Sequence, residues 1–562
     1  MVPKPRSVRT TLAPASERGR ESRSMRGLAV LTCVLIFQGF AQADTFPRQL
    51  AVDVLHYTFR LTLGDCSNEI RGEATVTLRF VAHNVREVFL DLASISDGKG
   101  MTVSTVTRDG LPMSFTHQND RLNISFTSPV PAGREVSLTV QYHGVPADGL
   151  RLIANIHGER TAFSENWPNR ARQWLPMIDH PYDKATGEFL VTAPAHYQVV
   201  ANGLLVEEVD LPAGWRRTHY RQSAPIASWL YALGMARFAV HHAGTVGGVP
   251  LQSWVFPQDH EVGIRLFETT TRQAVEFFSE RIGPYPYEKI ANVQAAGIAG
   301  DTEHATIMFY TEKGVASGSG AVVHEVAHQW WGNAVTQSDW DDVWLSEGFA
   351  TYFTHLFRER YEGRDAFVSS MKADVARIMR AGENSPNTPV VHENLSDMGN
   401  VLNWFVYSKG SWVLHMLRAL VGTDAFWDGI RQYYLLHRDR NASTDDFRHV
   451  MERVSGRDLE WFFRQWLNRG GVPRLEGTWS YSAVTRSLEV TLVQSQQAEP
   501  FRLPIEFEIV AAPQGVRRIE RVELTERRAT FRFPSEREPA SVILDPGSWL
   551  LMDPGPFTRA TQ

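Results

Sequence analysis

Between Leu55 and about Val240, apolar and polar positions alternate in short runs such as "HYTFRLTL", "EATVTLRF", "EVSLTVQYH" and "GEFLVTAP", broken by Gly, Pro, Asn and Asp. Period-two alternation puts successive side chains on opposite faces of a strand, so this stretch predicts antiparallel β-sheet with one face buried. From about Asp259 the period changes. "IRLFETTTRQAVEFFSERIG", "GAVVHEVAHQWWGN", "DVWLSEGFATYFTHLFRERY", "GSWVLHMLRALVG" and "DLEWFFRQWLNRGG" repeat apolar residues three and four apart, the spacing of an amphipathic helix. Ser443 with Asp446 marks a helix start, and Gly470-Gly471 before Pro473 a helix stop. After Pro473 the alternation returns in "SLEVTLVQS", "IEFEIVAA" and "ATFRFPS", enough chain for a small β-sandwich. The prediction is a multidomain α+β chain: an N-terminal antiparallel β domain over 44–247, a helical domain over 248–471 and a C-terminal β-sandwich over 472–562.

Length and composition support several folded domains, since 562 residues exceed one hydrophobic core and 43% apolar residues exclude disorder. The first 43 residues stand apart. Lys4, Arg6, Arg9, Arg18, Arg20, Arg23 and Arg26 precede an apolar run from Leu28 to Phe37 and the small-residue pattern Ala41-Gln42-Ala43. That order predicts a signal peptide over 1–43, cut before Asp44, and an exported protein, periplasmic or secreted. A membrane anchor is the alternative, but the apolar run is half the ~20 residues a span needs, so no stable membrane insertion is expected after cleavage. Met25, just before the run, is an alternative start. Loss of 1–43 removes seven basic and two acidic residues, leaving 50 against 61, a formal charge of −11, which argues against a nucleic-acid partner. Cys33 leaves with the signal, and Cys66 alone forms no internal disulfide.

The chemistry concentrates in His324-Glu325-Val326-Ala327-His328. Imidazoles at i and i+4 share one helix face and reach a single ion, and neutral imidazole nitrogen suits zinc. Glu325, between them in sequence, falls where a carboxylate serves as general base. A bare pair of this kind also occurs by accident on helices. Eighteen residues intervene before Glu347, in the run "DVWLSEGFATYFTHLF", whose Leu345, Phe349, Tyr352, Phe353 and Leu356 predict a second amphipathic helix packed on the first. Two histidines and one glutamate leave a fourth position open, the arrangement of a catalytic zinc rather than a structural one. The reading is one Zn2+ per chain.

"HEVAHQWWGN" followed by "WLSEGFATY" resembles the gluzincin aminopeptidases, the family of aminopeptidase N and the leukotriene-hydrolase aminopeptidases, and "RARQWLPMIDHP" at 170–181 is similar to a segment of that family's N-terminal β domain. The resemblance implies a saddle-like β domain, a thermolysin-like catalytic domain and a β-sandwich, in that order. It covers nearly all of the chain after residue 43. It also implies site residues. Tyr407, in Tyr407-Ser408-Lys409-Gly410, stands where the family places the tyrosine that donates to the oxyanion. The family's Gly-x-Met-Glu-Asn loop corresponds to Gly300-Asp301-Thr302-Glu303-His304, keeping the glutamate that binds the substrate's α-amine and losing the methionine and asparagine. Where the family has Gln or Glu four residues before its Ala-Arg pair, here Ala171-Arg172, this chain has Trp167. Amine recognition is then expected to rest on Glu303, with Glu165 or Asp301 assisting.

The resemblance implies a zinc aminopeptidase acting on peptides with a free N-terminus, Glu325 as base. Three rivals share the fold: an endopeptidase or narrow peptide-processing enzyme with a relaxed N-terminal pocket, a catalytically silent binding scaffold, and an epoxide hydrolase, for which no residue speaks. Retention of His324, His328, Glu347, Glu325 and Tyr407 argues against the silent scaffold.

Overall fold

The computed structural model describes residues 44–392, 395–511 and 515–560; the expected signal peptide over 1–43 lies outside the described residues. The N-terminal part is built on an eight-stranded sheet. Its order is Leu204–Leu211, Trp215–Ala227, Lys184–Pro194, Val52–Thr62, Ile70–Phe80, Glu135–Val145, Gly100–Arg108 and Leu111–Pro112. All neighbours run antiparallel except Val52–Thr62 and Lys184–Pro194, which pair parallel with His56 opposite Thr186. The alternation has its physical reason here: Tyr57, Phe59 and Leu61 are buried on one strand and Phe189, Val191 and Ala193 on its neighbour, while the residues between them face outward.

A second sheet, Gln198–Ala201, Leu233–Ala236, Arg160–Ser164 and Leu150–Ala154, is covered on both faces. Ala162, Val199 and Met235 join the core shared with the eight-stranded sheet, whereas Phe163, Val200 and Ala236 join a separate core with Phe256, Val293 and Phe309 of the middle part. Val293 and Phe309 belong to, and Phe256 directly follows, a strand of a mixed sheet of Ala239–Val246, Val249–Val255, Ile290–Ala295 and Ile307–Thr311, parallel across its last three strands. The sequence pattern does not show its strands Ile290–Ala295 and Ile307–Thr311, because strands buried on both faces carry no period-two signal. Its first hairpin turns at Gly247-Gly248, across the boundary expected at 247.

The helices are α1 (His260–Arg281), α2 (Glu312–Ala316), α3 (Val322–His328), α4 (Trp344–Glu362), α5 (Arg364–Asn384), α6 (Gly410–Val421), α7 (Thr423–His437), α8 (Thr444–Ser455) and α9 (Glu460–Leu467). Ser443 caps α8 in a reciprocal box with Asp446, as the sequence indicates. Helix α9 stops at Leu467, three residues before Gly470. The C-terminal part is a sandwich of a four-stranded and a three-stranded sheet, closed by Phe507 against Phe531, Phe533 and Phe557. The architecture is the β-rich, helical and β-sandwich succession that the period changes foretell. Among the described residues no helix is long and apolar enough to cross a membrane.

Candidate metal centre

The short helix α3 carries His324 and His328 one turn apart, and the start of α4 faces it with Glu347. The three side chains meet. His324 Nε2 and His328 Nε2 are 3.0 Å apart, and Glu347 Oε2 lies 3.4 Å from the first and 3.3 Å from the second. A tetrahedral ion bound at ~2.0–2.1 Å separates its ligands by about 3.3–3.4 Å, so this triangle has the size of one face of such a shell. Glu347 Oε2 is buried without a hydrogen-bond donor. Two imidazole nitrogens and one carboxylate oxygen converging on a single point form a donor set that fits zinc.

The orientation of His328 is fixed from behind. Its Nδ1 lies 3.0 Å from the Trp331 carbonyl and 3.1 Å from Ser346 Oγ, which assigns the ring proton to Nδ1 and leaves Nε2 free to ligate. Burial opposes charge on this imidazole, but Glu347 and Glu303 outweigh it and hold its pKa up to about 10. Glu347, although buried, is held down to about 2 chiefly by His328 and His324.

Glu325 is buried beside this triangle. Glu325, Glu303 and His328 each place a ligand-type atom within 4.8 Å of the others. Burial raises the Glu325 carboxyl well above its ordinary range, opposed by His328 and reinforced by Glu303, Asp301 and Glu347. Glu303 Oε1 is also buried without a donor. The backbone carbonyl of Glu303 is gripped by Gln329 Nε2 at 3.0 Å and Asn333 Nδ2 at 2.5 Å. Gln329 and Asn333 follow His328 in "HEVAHQWWGN"; their role went unread because it consists of tertiary contacts to a distant loop.

Tyr407 sits in a π-helical turn, Phe405–Lys409, that leads into α6, its ring tilted 27° to the His324 ring at 6.3 Å between centroids. Burial first, then Glu347, Glu303 and Glu325, push the phenol far up in pKa, so it stays a proton donor. Ser408 anchors the turn on Asp374 of α5 at 3.0 Å.

Gly300 is exposed at the rim, with open space where a side chain would stand. Two expected assistants lie outside this convergence. Asp301 uses one oxygen on Thr311 N (2.9 Å) and the other on Ala321 N (2.8 Å), tying the loop to the start of α3. Glu165 is paired with Arg151 and Arg170 and accepts the Ala299 amide at 3.1 Å. Both carboxylates hold the loop that carries Glu303. Trp167 packs against Trp229 and Trp340. His304 is buried with Nδ1 on the Trp229 carbonyl at 3.1 Å.

Comparisons with known proteins meet at this site. Residues 270–466 match the peptidase family M1 domain, and residues 54–230 match the peptidase M1 N-terminal domain. The chain is similar to aminopeptidase N of Streptomyces lividans, 28% identical over 431 residues that cover 71% of this chain and 48% of that protein. It is also similar to aminopeptidase A of Gloydius brevicauda, 26% identical over 333 residues covering 56% of this chain and 35% of that protein. The chain thus spans between a third and a half of the length of these curated relatives. Among solved structures, the M1 zinc metallopeptidase from Deinococcus radiodurans superposes with a TM-score of 0.63 at 25% identity, covering 75% of this chain and 94% of that one. Aminopeptidase A of Legionella pneumophila, solved in complex with aspartic acid, shares the fold with a TM-score of 0.76 at 17% identity, covering 92% of this chain and 61% of that one.

Proposed function

The chain belongs to peptidase family M1, and from that premise we propose that it is a zinc-dependent aminopeptidase, removing the first residue of peptides with a free N-terminus. One observation carries the reading: the His324, His328 and Glu347 triangle stands beside Glu303, whose Oε1 is buried without a partner. Residues His324, His328 and Glu347 would hold the zinc, which supplies Lewis acidity, polarising the scissile carbonyl and lowering the pKa of water toward neutrality.

The chain's own residues supply the rest. Glu303 offers a carboxylate oxygen to the substrate's ammonium group, and burial makes that charge pair strong. Anchoring the ammonium there, beside Glu325 and His328, fixes the substrate's register so that the first peptide bond is the one presented. Glu325 accepts a proton from the attacking water and passes it to the departing amine. Its raised pKa suits a group that must take a proton and release it again. Tyr407 donates its phenol hydrogen to the carbonyl oxygen as negative charge develops there.

Glu325→Gln preserves shape and removes basicity. Turnover of aminoacyl arylamides should fall ~10³-fold while bound zinc persists; a variant retaining the parent rate would mean that another group is the base. An endopeptidase reading draws on Trp167, which puts an indole where a second polar amine anchor is usual. A peptide tested free and N-acetylated separates the two: loss of cleavage on acetylation supports the aminopeptidase, and equal cleavage supports the endopeptidase. We also place the protein outside the cytoplasm, periplasmic or secreted, on the strength of the basic, apolar and small-residue order of its first 43 residues.

A further inference from the structure

Asp44 is buried against a segment 295 positions further along the chain. Its backbone nitrogen donates to Asp339 Oδ1 at 3.0 Å. Its carboxylate accepts from His180 Nε2 at 2.9 Å and from the backbone nitrogens of Trp340 and Phe46, each at 3.0 Å. Thr45 extends the grip, donating through its nitrogen and its hydroxyl to the Leu395 carbonyl at 2.9 and 3.2 Å. Asp339 also caps the turn Trp340–Asp342, accepting from Asp341 N at 2.9 Å, and that turn runs directly into α4 and Glu347.

The charges here do not balance around an amide. Asp44 and Asp339 are both buried, and among the described residues the cation that contacts both is Arg48. His180 accepts from Tyr182 N at its Nδ1, so its contact with Asp44 is assigned to the neutral tautomer, with Nε2–H donating. Asp341 flanks the group with Oδ1 on Leu395 N at 3.0 Å. A second positive charge at the Asp44 nitrogen would match the second carboxylate, and charge-assisted hydrogen bonds are about twice as strong as neutral ones. The cleavage that the sequence predicts falls at this nitrogen.

We infer that hydrolysis of the Ala43–Asp44 bond creates a buried ion pair between the new α-ammonium of Asp44 and Asp339, latching the processed N-terminus onto the segment that carries Glu347. Water adds across the bond: Ala43 leaves with the carboxylate, and Asp44 keeps the amine, which is protonated at neutral pH. The inference rests on the export reading and goes beyond it, because it assigns the processed terminus a structural role.

Expression of the 562-residue chain in an exporting bacterial host, followed by N-terminal sequencing, tests the cleavage; Asp44 should be the first residue. Any other start overturns both the processing and the latch. Chains starting at Asp44 or retaining Ala43 are then compared, each with and without Asp339→Asn. The Asp44 start should melt a few degrees higher, and Asp339→Asn should abolish the difference. Equal melting, or an advantage that survives Asp339→Asn, overturns the latch and leaves the export reading intact. An unaltered chain gives a second readout that does not depend on a variant folding. At neutral pH the Asp44 α-amine should react with an amine reagent ~10-fold more slowly in the folded than in the urea-unfolded protein, read by mass spectrometry of its peptide. Equal rates overturn the latch.

Discussion

His328 carries the electrostatic burden of the site. Burial works against its charge, yet Glu347 and Glu303 hold its pKa at about 10, so without a cation the imidazole keeps a proton at neutral pH. A proton and a metal ion compete for the same nitrogen lone pair. The sign follows: below about pH 10, each unit of acidification makes the proton harder to displace, and metal affinity should fall up to ~10-fold per unit. Chelator competition at two pH values a unit apart checks this, and a flat affinity would contradict it. Glu303 has a different signature. Glu303→Ala should raise KM for free peptides far more than it lowers kcat, and should erase the preference over acetylated ones; an unchanged KM would remove it from amine binding. The two histidines and Glu347 could be read from sequence because each lies in a contiguous motif whose spacing has a helical meaning. Ser346 and Gln329 lie in the same motifs but act through tertiary contacts that spacing does not encode. The backbone amides that Asp301 and Glu165 accept are hidden for the matching reason: an acid near a binding loop looks the same in sequence whatever it faces.

At the scale of elements, the site depends on how closely α4 and α6 approach. A Cβ at Gly348 would stand 3.0 Å from Gly410 Cα and 3.0 Å from the Val406 carbonyl, and one at Gly410 would stand 3.1 Å from Gly348 Cα. This contact brings Glu347, adjacent to Gly348, within reach of Tyr407, three residues before Gly410. Gly348→Ala should force the helices apart at a cost of about 1–3 kcal/mol. Its kcat should drop more than its zinc content, because the Tyr407 turn moves relative to the metal ligands. Equal activity in the variant would show that the fit is looser than the distances indicate. Helices α1, α3, α4, α6 and α9 are legible through their period and α8 through its cap, whereas α2, α5 and α7 are not among the stretches the period picks out. In the mixed sheet, strands such as Ile290–Ala295 are not legible either, because they are buried at every position and read as an apolar run.

Across the whole molecule, the N-terminal part acts on the site from a distance. Lys184, on a strand of the eight-stranded sheet, donates to the carbonyls of Asn333 and Ala334 at 3.0 Å each and of Arg440 at 3.4 Å. Asn333 is also the residue whose side chain holds the Glu303 carbonyl. Lys184→Met removes a donor shared by these carbonyls, of which Asn333 keeps Thr336 Oγ1 at 2.8 Å and Ala334 keeps the Asp439 amide at 2.8 Å; it should cost about 1–2 kcal/mol, seen as a lower urea midpoint, with a rise in KM as the Glu303 loop loosens. A variant as stable as the parent would show that the contacts of Lys184 add nothing to those that already hold the β part and the catalytic part together, such as the Phe163, Val200 and Phe309 core. The order of the three parts could be read from changes of period along the chain, but this contact links residues about 150 positions apart and leaves no mark in either segment.

Every step of the proposed chemistry requires His324, His328 and Glu347 to share one ion. Zinc-edge X-ray absorption on the purified, unaltered chain, with the metal quantified in the same sample, measures this. The convergence of these side chains predicts one zinc per chain with two imidazole nitrogens and oxygen donors at ~2.0–2.1 Å, and loss of that signal in Glu347→Ala. Substoichiometric zinc, or a shell containing sulfur, would contradict it.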